Sequence, residues 1–359
     1  MRDFLIRHQT PALLVAGLVV VTVLGVLTGN ETVQVTLTEM FIRLVVVVGL
    51  WVFIGNSGII SFGHIGFMGV GAYAAAWASA EPGFKQIMLS GLPVFLQENQ
   101  YPFAFAIIGA TLLPALVALL LGIALMRLAG TAASIATFAV LMIVNSVYAN
   151  WDSVTAGSSS IIGIPTVVGP WVAVGFAAGA VVTAYLFQVS RLGLMLRASR
   201  DDEVAARASA VEVKRMRLVA FVLSAAIAGA GGGLYAQFLG ILTIDPFYLG
   251  LTFITLAMLV VGGMSSLSGA VAGVFAVTII VELLRIAERG VSLGALDLGL
   301  PLGSQEIGLG VLMALILIFR PNGLSNGREL VWPGAAPAAK APAGRTLSPE
   351  LTGDAAPSP

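Results

Sequence analysis

Apolar residues in this chain come in long blocks separated by short polar breaks. A helix needs roughly 20 apolar residues to cross the hydrocarbon core of a bilayer. Blocks of about that length lie near 11–29, 37–56, 58–79, 103–126, 131–149, 170–189, 217–239, 247–263, 268–284 and 303–319. The eighth and ninth come from dividing one run, Thr252 to Leu284, that is too long for a single crossing; it breaks at the Gly- and Ser-rich stretch Gly262 to Gly269. The pattern predicts an all-α fold, a polytopic transmembrane helical bundle of about ten spans.

Composition agrees. Of 359 residues, 58% are hydrophobic and 10% charged, and mean hydropathy is +0.98. A soluble domain carries about 25% charged residues, so this chain cannot cover a water-facing surface and needs lipid as its solvent. Its 42 glycines suit close helix packing in a bilayer. Net charge is zero and gives no sign of a nucleic-acid partner. With no Cys and two His, disulfides, thiolate sites and a His-based metal site are not expected.

Where the charges sit sets the orientation, because Lys and Arg favour cytoplasmic loops. Arg2 and Arg7 precede the first apolar block and place the N-terminus inside, as a retained signal-anchor. Segment 191–217 holds seven of the 18 basic residues and is also inside, six spans later. The intervening 150–169 has no Lys or Arg and lies outside. Both termini are expected to be cytoplasmic, although Arg285 and Arg289 then fall in an external segment. The chain divides into a cytoplasmic N-terminus (1–10), a transmembrane domain (11–325) and a Pro- and Ala-rich cytoplasmic tail (326–359) whose composition predicts disorder.

The largest polar segment is Ser190 to Arg217, and its middle, Ser199 to Ala208, reads as a short helix. Ser199 and Asp202 have capping-box spacing, Asp201, Asp202 and Glu203 crowd the first turn, and Glu203 and Arg207 form an i,i+4 pair. Its small apolar face is Val204, Ala205 and Ala208. Such a helix fits a groove on a soluble partner; the alternative is a solvated connector. His64 and Ser61, three residues apart in a Gly-rich block, are a second candidate, since an ionisable residue at membrane depth is by default a functional hypothesis. The alternative there is a neutral His bonded across a helix interface. Asn145 and Tyr148, with Ser134 and Thr137, form a possible polar stripe on the fifth span, or interhelical glue. Loop 150–169, rich in Ser and Gly, reads as a flexible or turn-rich cap.

Four stretches carry a family resemblance. Gly193 to Ala206, continuing into Leu218 to Gly229, resembles the coupling loop of the LivM-type permeases of branched-chain amino-acid ABC importers. Gly58 to Tyr73 resembles that family's Ser-x-Gly-His element, Asn150 to Pro165 its external loop, and Ile318 to Leu324 its C-terminal close. The resemblance covers roughly 35–325. It implies that Arg200, Asp201, Asp202, Glu203, Ala205, Ala206 and Arg207 contact an ATPase, and it leaves Ser61, His64 and Asn145 as candidates for the translocation path. It also implies a second, H-type permease, two ATPase subunits holding ATP and Mg, a periplasmic or tethered binding protein, and a place in the bacterial inner membrane. The family usually has Gly where this chain has Ala210, which leaves the turn after the docking helix open to a different shape.

Absences narrow the function class. None of the three Lys follows Gly, so there is no Walker A loop, and ATP hydrolysis is expected on another polypeptide. No catalytic motif marks a membrane enzyme, and no cofactor or metal is expected on this chain. The rival reading is a stand-alone secondary transporter or channel for a small polar solute. Proton coupling would show as acids deep in spans, and here Glu39 and Glu282 lie near ends.

Overall fold

The computed structural model describes residues 9–289, 291–293, 296–298, 301, 303, 307–308, 310–311, 314, 318–320 and 323–330. Fourteen helices follow one another among the described residues. Their order is α1 (Gln9–Leu27), α2 (Glu31–Ser57), α3 (His64–Ser79), α4 (Pro82–Met88), α5 (Val94–Glu98), α6 (Phe103–Leu125) and α7 (Gly130–Asn150). Then come α8 (Asp152–Thr155), α9 (Pro170–Val189), α10 (Arg191–Asp201), α11 (Glu203–Ala208), α12 (Val213–Leu239), α13 (Leu249–Gly262) and α14 (Leu267–Arg289). A small antiparallel hairpin of β1 (Val291–Leu293) and β2 (Leu296–Leu298) pairs Ser292 with Asp297.

Among the described residues, seven helices, α1, α2, α6, α7, α9, α12 and α14, are long and apolar enough to cross a bilayer. That count supports a polytopic helical bundle and does not reach the expected ten. The third and eighth expected spans are helices, but α3 has 16 residues and α13 has 14. At 1.5 Å per residue they reach about 24 and 21 Å, short of a hydrocarbon core of about 30 Å. The reason is backbone breaks inside apolar sequence. Gly58 closes α2 in the left-handed region (φ 73°) and residues 59–63 are not helical. The tenth expected span, 303–319, falls largely outside the described residues, as does the tail from 331 onward.

Helix α12 forms the hub, packed against α3, α6 and α2. Its Gly229-Ala230-Gly231-Gly232-Gly233 stretch makes this possible. A Cβ on Gly232 would meet the Met68 carbonyl of α3, one on Gly231 would lie 2.6 Å from Val46 of α2, and one on Gly233 would lie 2.6 Å from Ala110 of α6. The outer faces of α6 and α7 stay exposed and apolar, with Leu112, Leu120, Ile135 and Ile143 turned outward.

The connections sort into two ends. At one, loop 150–169 is packed rather than flexible. Ile161 bridges Leu242, Trp77 Nε1 donates to the Val154 carbonyl (2.8 Å), and Gly91 N donates to the Ser153 carbonyl (2.8 Å). Lys85 is buried there and donates to the carbonyls of Trp77 (3.2 Å) and Asn99 (2.6 Å); burial lowers its pKa from the ordinary lysine value. At the other end lie α10, α11, the 58–63 break and the α13–α14 turn.

Candidate functional site

Helices α10 and α11 are two short helices, not the single one expected from Ser199. Ser190 caps α10, accepting from Gly193 N (3.2 Å). Asp202 breaks the run and caps α11, its Oδ1 accepting from Val204 N (2.9 Å) and Ala205 N (3.0 Å). Ser199 lies buried inside α10, its hydroxyl donating to the Leu196 carbonyl. Local spacing allowed either residue to cap; Asp offers the stronger, charged acceptor. Only Glu203 then occupies the first turn of α11.

The faces of α11 divide cleanly. Val204, Ala205, Arg207 and Ala208 point outward, with Val204 79% exposed. Ala206 turns inward. Glu203 pairs with Arg207, as its spacing predicts, and also accepts from Arg217 Nη2 (2.8 Å) at the foot of α12. Arg217 is buried, and Glu203 is its ion-pair partner. Burial alone would raise the Glu203 carboxyl pKa, but the Arg217 hydrogen bond and charge, then Arg207, hold it below the ordinary carboxylate value. The Glu203 carboxylate therefore stays ionised through the neutral range.

The turn after α11 is a Schellman motif. Val211 N donates to Ala206 O (3.1 Å) and Ala210 N to Arg207 O (3.0 Å), with Ala210 at φ 61°. The turn thus keeps the left-handed residue that glycine favours, and Ala210 bears the strain of its Cβ. Ala210→Gly is expected to stabilise the chain by about 1 kcal/mol, read as a raised melting temperature in detergent; an unchanged or lower value would refute the strain.

Arg200 reaches away from α11. Its Nη1 donates to the Gly55 carbonyl (2.6 Å) in the last turn of α2, and its Cγ lies 2.7 Å from where a Cβ on Gly58 would be. Asp201, beside it, is exposed. So the α10–α11 loop touches the break that leads to His64.

His64 opens α3 and is fully buried. Its Nε2 lies 2.6 Å from Ser224 Oγ of α12, and its Nδ1 lies 2.8 Å from Ser61 Oγ. Ser224 has one hydroxyl proton and donates it to the Gly49 carbonyl of α2 (2.5 Å). It is therefore placed to accept from Nε2–H, and a neutral ring then accepts at Nδ1 from Ser61. The imidazole ties the break, α12 and α2 together. Phe53, Phe67 and Phe221 surround it, with ring centroids 5.6–6.0 Å away. Thr137 on α7 holds the same break, its Oγ1 accepting from Phe62 N (3.2 Å). Asn145, half-buried on α7, does not join this network; Tyr148 instead packs with Tyr73 and Trp77.

Sequence spacing could not find Arg217, Ser224 or Gly49, because each meets its partner across helices. An Arg at the very start of an apolar block was the one available signal for Arg217.

The family described as branched-chain amino acid transport system / permease component matches residues 32–319. The high-affinity branched-chain amino acid transport system permease protein LivM of Escherichia coli K12 is 28% identical over 346 residues, 87% of this chain and 74% of that protein. Its Salmonella typhimurium LT2 counterpart is 27% identical over 321 residues, 80% of this chain and 68% of that protein. A probable LivM from Methanocaldococcus jannaschii is 28% identical over 145 residues, 39% of this chain and 41% of that protein. No solved structure matches the chain with significance.

Proposed function

This chain belongs to the family of permease components of branched-chain amino acid transport systems, and from that premise we propose how it works. It is the membrane-spanning permease subunit of an ATP-binding-cassette importer for branched-chain amino acids or a related small solute. It is a multi-pass membrane protein.

The chain sits in the bacterial inner membrane with both termini and loop 191–217 in the cytoplasm, where the basic residues favour them. It pairs with a second, H-type permease. Two separate ATPase subunits hold ATP and Mg and dock on α11, and a substrate-binding protein delivers solute to the opposite end, against the packed 150–169 loop. No chemical step occurs on this chain.

One observation carries the coupling role: α11 presents an unpaired small apolar face, Val204, Ala205 and Ala208, while its other side is fastened inward by Glu203 to Arg217. A load applied to the outer face reaches the foot of α12 through that ion pair. It also reaches the end of α2 through Arg200 and the Gly55 carbonyl. Both helices converge on His64 through Ser224 and Gly49. We assign Arg200, Asp202, Glu203 and Arg207 to transmission, and Ser61 and His64 to shaping the path by fixing the break before α3.

Co-purification from native membranes tests this, comparing the intact chain with an Asp202→Ala, Glu203→Ala, Arg207→Ala variant. An ATPase and a second permease are expected with the first, and loss of the ATPase from the second. A chain that purifies alone and transports in liposomes without ATP would leave the secondary transporter or channel standing instead.

A further inference from the structure

Residues 323–330 return beneath the end of the bundle that carries α11. The α13–α14 turn there leaves helix-end groups without intrahelical partners, and the returning segment supplies them. Leu324 N donates to the Val261 carbonyl (2.9 Å) and Ser325 N to the Gly262 carbonyl (3.1 Å), closing the C-terminus of α13. Gly323, at φ 69°, lies so close to Gly263 that a Cβ would stand 2.5 Å from its backbone.

The Glu329 carboxylate closes the N-terminus of α14. Oε1 accepts from Leu267 N (2.9 Å), and Oε2 accepts from Ser268 N (3.0 Å), Ser268 Oγ (2.8 Å) and Ser266 Oγ (3.2 Å). A carboxylate at that position also meets the positive end of the helix dipole. Oε1 accepts once more from Gln188 Nε2 (3.1 Å), in the last turn of α9. The Gln188 carbonyl in turn accepts from Arg197 Nη2 (2.7 Å) on α10. The segment ends with the Leu330 carbonyl accepting from Thr10 Oγ1 (3.1 Å) at the start of α1.

We infer that residues 323–330 form a strap, and that Glu329 is a positioning residue joining the α13–α14 turn to the root of the α10–α11 loop, so that motion of the loop is delivered to α13 and α14 as well as to α12. The inference rests on the importer reading. The geometry is specific to it: one side chain bridges the only described turn between α13 and α14 and the helix that leads directly into α10. Arg197 lies within the electrostatic reach of Glu329, which opposes the lowering of its pKa by burial and by Arg200. The strap also extends the ordered body to Leu330, beyond residue 326 where composition places the start of the tail.

The test uses the complete importer reconstituted in vesicles, with uptake and ATP hydrolysis measured together. Glu329→Ala is expected to lower solute taken up per ATP hydrolysed by about fivefold or more, the usual scale of a coupling energy, while hydrolysis stays within about twofold. A fold defect alone would lower both in step and leave the ratio unchanged. The chain has no native Cys, so a cross-link can replace the carboxylate. A Cβ on Gly327, at φ 73°, would lie 3.1 Å from Ser265 Oγ; Ser265→Cys with Gly327→Cys pins the strap when oxidised, and the same pair with Glu329 intact reads the strain of a side chain at that φ. Added to Glu329→Ala, the oxidised pair is expected to restore the ratio, and reduction to lose it again. An unchanged ratio in Glu329→Ala overturns the inference, as does a ratio still depressed after cross-linking. If Glu329→Ala does not assemble, the oxidised cross-linked form decides by the same ratio. Absence of ATP-dependent uptake in the unmodified importer is a different failure, that of the importer reading itself.

Discussion

Gly232→Val is expected to keep the chain from reaching its folded bundle, at a cost of more than about 3 kcal/mol. The cause is backbone, not side chains. A Cβ at Gly232 would run into the Met68 carbonyl and come within 2.9 Å of Ala72 N, both in the main chain of α3. One turn away the contact is repeated in reverse, with Gly71 of α3 meeting the backbone of Gly229. A flexible side chain could swing aside, but two helix backbones in contact can only separate. Separation would strip α12 from α3 and, through Gly231 and Gly233, disturb α2 and α6 as well. The measurement is the amount of monodisperse protein on size exclusion in detergent. Gly175→Val and Gly179→Val on α9 serve as controls, because a Cβ at either meets nothing within 4 Å. Gly232→Val yielding as much monodisperse protein as the controls would show that α12 does not need this contact.

His64 gives the second large effect, and here folding and transport separate. His64→Ala removes a buried ring, leaves a cavity among Phe53, Phe67 and Phe221, and strands the hydroxyls of Ser61 and Ser224. It is expected to cost about 3 kcal/mol or more in stability. His64→Gln keeps polar atoms in the space but not the rigid ring that places its two nitrogens against Ser61 and Ser224. Normal amounts of protein are expected from it, with uptake reduced about tenfold, the kinetic equivalent of one lost hydrogen bond. Full uptake by His64→Gln at normal protein level would end the idea that this residue shapes the path.

The spans were legible because a bilayer imposes its length on the sequence, and each of the first nine blocks is indeed a helix. What length could not reveal is that α3 and α13 stop short. Apolar composition continues through 58–63, and only the left-handed turn at Gly58 and the tie from Phe62 to Thr137 break the helix. The Glu203–Arg207 pair was legible because both residues lie on one helix. The Glu203–Arg217 pair was not, since it joins two helices through a turn. Ser199 and Asp202 competed for one cap, and spacing alone did not rank them. Glu329 lies about sixty residues from the helix it caps, in a stretch whose composition reads as the beginning of a tail.

Helix α3 has one further property. All its residues are buried except Trp77, which is partly so. Its neighbours are protein on every side, so its short length costs nothing in mismatch with lipid. Exposed apolar side chains lie instead on the outer helices, among them Leu24 of α1, Leu112 and Leu120 of α6, Ile135 and Ile143 of α7 and Leu283 of α14. A thinner or thicker bilayer therefore tilts and strains the rim of the protein first. The break that holds His64 is insulated from membrane thickness by the ring of full-length helices around it.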